Sequence, residues 1–168
     1  MNVGLVLEDN KEYADGKGRE YYIDYVLNRS GIRQWSLTRL ADYGFDAETG
    51  IWAECPGYSS VVINDYANFV NQFDTNLQYD LVKAMPVLSK AVATTPQYLF
   101  PNRMICGFGD THPGYLSTNF FIRMIQNAQA NGKKEQEDYF TALLKCLNPE
   151  TDRIKGKRRT FVYLSTLS

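Results

Sequence analysis

The chain is poor in the residues that most catalytic and metal-binding motifs are built from. It has one histidine, His112, and its three cysteines, Cys55, Cys106 and Cys146, are widely spread and follow no metal-ligand spacing. A zinc site is therefore not expected, nor any other cofactor. One disulfide could form, but nothing demands it, and small buried free thiols suit the composition better. Eighteen Lys and Arg stand against 19 Asp and Glu, a formal charge of -1, so there is no basic field to attract nucleic acid. No apolar run approaches the roughly 20 residues of a membrane span. The start, MNVGLVLEDN, has neither the basic region nor the apolar length of a signal peptide. No P-loop, dinucleotide-binding glycine pattern or nucleophile elbow occurs. A Ser-His-Asp triad assembled from distant partners stays open.

What the chain does have is length for one domain, 168 residues, and an aromatic content of 14% that includes 12 tyrosines. Helical periodicity dominates. Residues 19–29 place Tyr22, Tyr25, Val26 and Arg29 on one face, and 32–43 align Ile32, Trp35, Ser36, Arg39, Leu40 and Tyr43. A third helix starts after Pro56-Gly57 with Tyr58, Val61, Val62, Asp65, Phe69 and Phe73 on one face and Tyr66 and Val70 alongside, ending before DTNLQ. The fourth, 79–93, carries Leu81, Ala84, Met85, Leu88 and Val92, and Pro86 inside it predicts a kink or a late start. Helices over 118–130 (Phe121, Met124, Ile125 and Ala128 inward) and 135–147 (Tyr139, Phe140, Leu143, Leu144 and Leu147 inward) complete six, joined by short turns. The expected class is all-α, with antiparallel neighbouring helices. Residues 96–117, rich in Pro and Gly, predict a small hairpin and an ordered loop, long enough to suggest function. The tail 151–168, basic and then alternating, fits none of this and is expected to be poorly ordered.

The candidate chemistry gathers around GIWAECPGY and GDTHPGY. Tyr58 follows a Pro-Gly turn and is flanked by Glu54 and Asp65. Trp52 suits a core position as well as a sugar-stacking platform, and Glu54 could equally pair with Arg33 or Arg39. A lone histidine in a polar loop is more often structural than catalytic. Asp110 could cap the following helix or orient His112.

GIWAECPGYSSVVINDYANFV resembles the motif Asp-Gly-x-x-x-Glu-Gly-Pro-x-Tyr of the heparinase II/III-like polysaccharide lyases, and LVKAMPVLSKAV with PNRMICGFGDTH is similar to the next helix and a loop ending in Gly-Asp. The likeness spans roughly residues 19–147. It implies a partial (α/α) toroid over 1–150, from a parent that continues into a β-sandwich. The implied activity is β-elimination on an acidic, uronate-containing polysaccharide. Tyr58 then matches the tyrosine that protonates the leaving oxygen and can also act as base. Glu54 matches the motif glutamate, and with Trp52, Asp110 and His112 it would line the cleft. Elimination needs the uronate carboxylate neutralised, a base for the C5 proton and an acid at the departing oxygen. The chain departs from the family pattern in three respects. No histidine precedes Tyr58, Asn2 is followed by Val3 where an Asn-His pair is expected, and Cys55 replaces the motif glycine. The resemblance therefore implies a central toroid fragment, inactive alone, whose partners are the glycan and the missing parts of a periplasmic or extracellular parent. The competing reading is a non-enzymic helical carbohydrate-binding or scaffold module.

Overall fold

The computed structural model describes residues 16–147 except 108, 112 and 113. The tail 151–168 and His112 lie outside the described residues. Seven α-helices are described: α1 Arg19–Asn28, α2 Leu37–Gly44, α3 Pro56–Leu77, α4 Leu81–Ala84, α5 Val87–Thr94, α6 Asn119–Ala130 and α7 Lys134–Leu147. A 3-10 turn, Thr95–Tyr98, follows α5, and the extended pairing described is confined to four isolated bridges. The class is all-α. No helix among the described residues is long and apolar enough to cross a membrane.

Local chemistry sets the helix ends, and it corrects several expectations. α2 begins at Leu37 rather than Ile32, because the Ser36 hydroxyl accepts the Arg39 N–H as an N-cap while Gly31 and Gln34 pair across a turn. Of the stripe expected on α2, Ser36 is buried and Trp35 half-buried, while Arg39 and Leu40 are exposed. Ile32 and Tyr43 are exposed, and Leu37, Ala41 and Gly44 are buried instead. α3 has Pro56 in its first turn, where a missing N–H costs nothing. It runs on through DTNL, which holds neither Gly nor Pro, and stops at Gln78 in the left-handed region at φ 51°. Its buried face is Ser59, Ile63, Tyr66, Ala67, Val70 and Phe73, whereas Tyr58, Val61 and Asp65 are exposed. The break expected at Pro86 is present: α4 ends at Ala84 and α5 starts at Val87. Ala84 is exposed, and Val82 and Ala91 join the core. On α1 the buried residue is Leu27, while Tyr22, Tyr25 and Val26 are half-buried and Arg29 is exposed in an ion pair with Asp24. On α6 all four expected residues are buried. On α7 Phe140 and Leu144 are buried, Leu143 and Leu147 half-buried, and Tyr139 exposed.

The core is built on α3 and α6 with α7. Phe73, Phe120, Phe121, Phe140 and Ile63 are among its largest fully enclosed side chains, each stabilising by about 1.5–3 kcal/mol through the area it removes from water. Side-chain bonds fix the direction in which α3 and α6 pack. Asn119 donates to Asn64, Arg123 to Asn71 and Asn127 to Asp74, so residue numbers rise together along both helices. The two helices are therefore parallel. The turn Asn131–Gly132–Lys133, with Gly132 at φ 65°, sends α7 back along α6 as a helical hairpin.

Candidate functional site

The turn that leads into Tyr58 is tightly constrained. The Asp46 carboxylate accepts from the Thr49 hydroxyl and from the N–H groups of Thr49 and Glu48, and these bonds, the Thr49 hydroxyl first, hold its pKa down. Asp46 N–H donates to Ile51 C=O, Ala53 N–H donates to Gly44 C=O, and Phe45 pairs with Trp52. From α5, Lys90 Nζ donates to the Ala47 carbonyl and the Thr94 hydroxyl to that of Thr49. Gly50 sits at φ 74°, with the backbone of Lys90 and Ala91 where a Cβ would stand. A side chain at this position would push α5 away from the turn.

Trp52 is half-buried, with its indole on Gly44 at a distance that leaves no room for a Cβ there. Its ring meets Phe45 edge-on, centroids 4.7 Å apart, and its N–H donates to Glu54 Oε2 at 3.3 Å. Glu54 is exposed and holds Trp52, whereas the Arg39 guanidinium lies over Trp35, 4.6 Å from the ring centroid. Below the turn, Tyr98 is buried. Its hydroxyl is directed at the Trp52 backbone and the Ser59 hydroxyl without closing a well-formed bond, and burial raises its pKa.

Tyr58 lies in the first turn of α3 and is 46% exposed, outside the helix packing. Its hydroxyl donates to Asp110 Oδ2 at 3.2 Å, across 52 residues of sequence. This bond and the negative charge of Asp110 raise the phenol pKa, with smaller contributions in the same direction from Cys55 and Glu54. Among the described residues the charges acting on the phenol are thus negative, and it stays protonated at neutral pH. Cys55 precedes α3, and its thiol pKa is lowered first by the Thr111 hydroxyl and then by the N–H groups of Tyr58 and Gly57. The three cysteines are free, with Cys55 and Cys106 half-buried and Cys146 exposed, so they are not the buried thiols expected from composition.

The loop 109–111 therefore lies directly over residues 55–58. Tyr58, Glu54 and Trp52 are brought together on one side of this contact and Asp110 on the other. Thr111 and Gly57 are neighbours that sequence pattern alone does not single out. Their only signal is the Gly-Asp-Thr and Pro-Gly segments themselves. Among the described residues no three His, Cys, Asp or Glu side chains converge as a metal site.

A cavity of about 390 Å³ lies elsewhere, between α3 and α6, lined by Asn71, Asp74, Thr75, Gln126, Gln129 and Ala130. Thirteen residues of helix separate Asn71 from Tyr58, about 20 Å along the axis. Beside the cavity, Asp74 accepts twice from the buried Asn127 amide, which also reaches Asp80. Lys133 closes an ion pair with Asp80. Burial raises the Asp74 pKa. At Asp80 burial is outweighed by Lys133, the Lys83 N–H and Asn127, and its pKa is lowered. This cluster ties the end of α3 to the α6–α7 turn and is structural.

Residues 48–167 match the family described as the endo-acting ulvan lyase 2nd domain. No curated protein and no solved structure matches the chain. The matched stretch takes in the site turn, α3 through α7 and the basic segment beyond them. The kinship with polysaccharide lyases expected from the Tyr58 motif holds at that level. With most of its length inside the match, the chain belongs to the family of the second domain of endo-acting ulvan lyases, a polysaccharide lyase family.

Proposed function

We propose that this domain supplies the general acid for β-elimination on a uronate-containing glycan of the ulvan kind, and that Tyr58 is that acid. In the reaction a base removes the C5 proton, a C4–C5 double bond forms, and the C4–O bond breaks. The departing oxygen takes its proton from the Tyr58 phenol, and the phenolate regains one from water. The observation that carries the reading is the Tyr58–Asp110 hydrogen bond, at the surface and beside an anion. A carboxylate in this position suppresses ionisation, which favours the acid role and disfavours the base role that the heparinase II/III resemblance also allows. At rest the proton points at Asp110. A phenol hydrogen has two in-plane positions, so rotation about the C–O bond re-aims it at a glycosidic oxygen.

Trp52, Glu54, Asp110 and His112 are the side chains we assign to the rim of the glycan site. The parallel α3 and α6 with a returning α7 suit a partial (α/α) toroid, in which successive inner helices share a direction. The base and the group that neutralises the uronate carboxylate come, in this reading, from parts of the parent lyase outside this chain. In this reading the parent meets its polysaccharide outside the cytoplasmic membrane, in the periplasm or beyond, and cleavage is internal.

The test is turnover by the lyase that carries this domain, followed as unsaturated uronate released from ulvan. Tyr58→Phe removes the proton and keeps the ring, and should lower kcat by about 10²–10⁴ with KM little changed. Substitution without effect on turnover, with glycan binding intact, would show a carbohydrate-binding module instead.

A further inference from the structure

We propose that Thr111 is a positioning residue whose side chain, seated on Gly57 with its hydroxyl on Cys55, holds Asp110 against the Tyr58 phenol. It deepens the reading of Tyr58 as proton donor and rests on it.

Thr111 touches the turn in two chemically different ways. Its hydroxyl is hydrogen-bonded to the Cys55 thiol, across 56 residues of sequence. Its methyl fills the space that glycine leaves at position 57: a Cβ there would stand 2.4 Å from Thr111 Cγ2 and 2.8 Å from Oγ1. Two residues back, Gly109 turns the loop at φ 66°, with Cys55 Cβ 3.4 Å from where its own Cβ would be. Three consecutive residues of the loop thus meet residues 55, 57 and 58. Of the three, Asp110 makes the contact with the phenol. Both Asp110 and Tyr58 are exposed, and an exposed hydrogen bond does not repay the ordering of a loop backbone. Thr111 is half-buried, as is Cys55, so the packed contact lies there. Threonine alone meets both requirements, since valine would keep the methyl and lose the hydroxyl, and serine would do the reverse. Among the described residues, the titratable groups that face the phenol are Asp110 from the loop and Cys55 and Glu54 from the turn. Of these, only Asp110 depends on the loop for its place.

The experiment reads the phenol itself, without glycan, so it separates this inference from the lyase reading. Tyrosine labelled at Cζ is followed by NMR as pH rises, and Tyr58→Phe identifies the signal. Asp110→Asn sets the midpoint for a phenol that has lost its anion. Thr111→Val should bring the Tyr58 midpoint down to the Asp110→Asn value, and Thr111→Ser, which keeps the bond to Cys55 and loses the methyl on Gly57, should lie between that value and wild type. Gly57→Ala, which pushes on the same contact from the other side, should match Thr111→Val. Added to Asp110→Asn, Thr111→Val should give no further shift. A Thr111→Val chain that is folded by its amide spectrum and titrates as wild type overturns the proposal. So does a further fall in the double variant, because Thr111 would then act by another route. Should Thr111→Val fail to fold, Gly57→Ala decides on the same criterion.

Discussion

A phenol hydrogen-bonded to a carboxylate is a poor base and a well-kept source of protons. This is the situation of Tyr58, whose hydroxyl donates to Asp110 and whose pKa that anion raises. The sign of the pH effect follows. If the protonated phenol is the working form, activity falls on the alkaline side as Tyr58 ionises, and Asp110 delays that fall. Asp110→Asn should therefore move the alkaline limb of the kcat profile to lower pH, leaving the acid limb in place. A limb that stays put would mean that another group sets it. At this scale the sequence was partly legible. Tyr58, Glu54 and Trp52 stand within seven residues of each other, so one motif displays them together. Thr111 and Gly57 meet only across the folded chain, and a threonine beside a lone histidine carries no signal of its own. Cys55 reads as a departure from a motif glycine. Its thiol, held between Thr111 and the first N–H groups of α3, gives that substitution a physical use.

α3 spans from the site turn, where Tyr58 is exposed, to the polar cluster around Asp74, and its buried stripe anchors both. Tyr66 shows how it is pinned sideways: its ring is buried and its hydroxyl donates to the Leu37 carbonyl at the start of α2. Burial, with Asp42 adding to it, pushes the Tyr66 pKa up to about 12. A phenol whose folded pKa lies above its unfolded value of about 10 stabilises the fold fully below pH ~10, and that contribution is lost as pH rises towards 12. On the order of 2 kcal/mol of alkaline stability loss is expected from this residue. Tyr66→Phe should cost about 1 kcal/mol at pH 7 through the lost bond to Leu37 and flatten the decline between pH 10 and 12, as read by urea unfolding. An unchanged alkaline slope in the variant would put the sensitivity elsewhere. Helix existence was legible throughout, because 3.6-residue periodicity survives local errors. Helix phase was legible on α6 and α7 and less so on α2 and α3. On α3 the buried face includes Ser59, Ser60 and Ala67, which hydrophobicity ignores, while Val61 and Tyr58 point outward and attract the eye. On α2 the cap at Ser36 shortened the helix, and its buried residues are Leu37, Ala41 and Gly44.

At the scale of the molecule, the all-α class and the break at Pro86 could be read directly from pattern and from proline chemistry. The parallel run of α3 and α6 could not, since periodicity is blind to direction and the pairs Asn64–Asn119, Asn71–Arg123 and Asp74–Asn127 become visible only in three dimensions. This arrangement carries Tyr58 at the N-terminal end of α3, where the loop between the 3-10 turn and α6 passes over it. The site is thus assembled by two connections laid across the end of a helix pair. What the assembled site does is tested most directly by changing the leaving group. The lyase carrying this domain, as wild type and as Tyr58→Phe, would be given ulvan and a synthetic uronate bearing fluoride at C4, which departs without a proton. If Tyr58 is the acid, the phenylalanine variant should lose about 10²–10⁴ in kcat on ulvan and less than about tenfold on the fluoride. Equal losses on both substrates would contradict the acid role, because a tyrosine needed when no proton is donated must be acting as base or as scaffold.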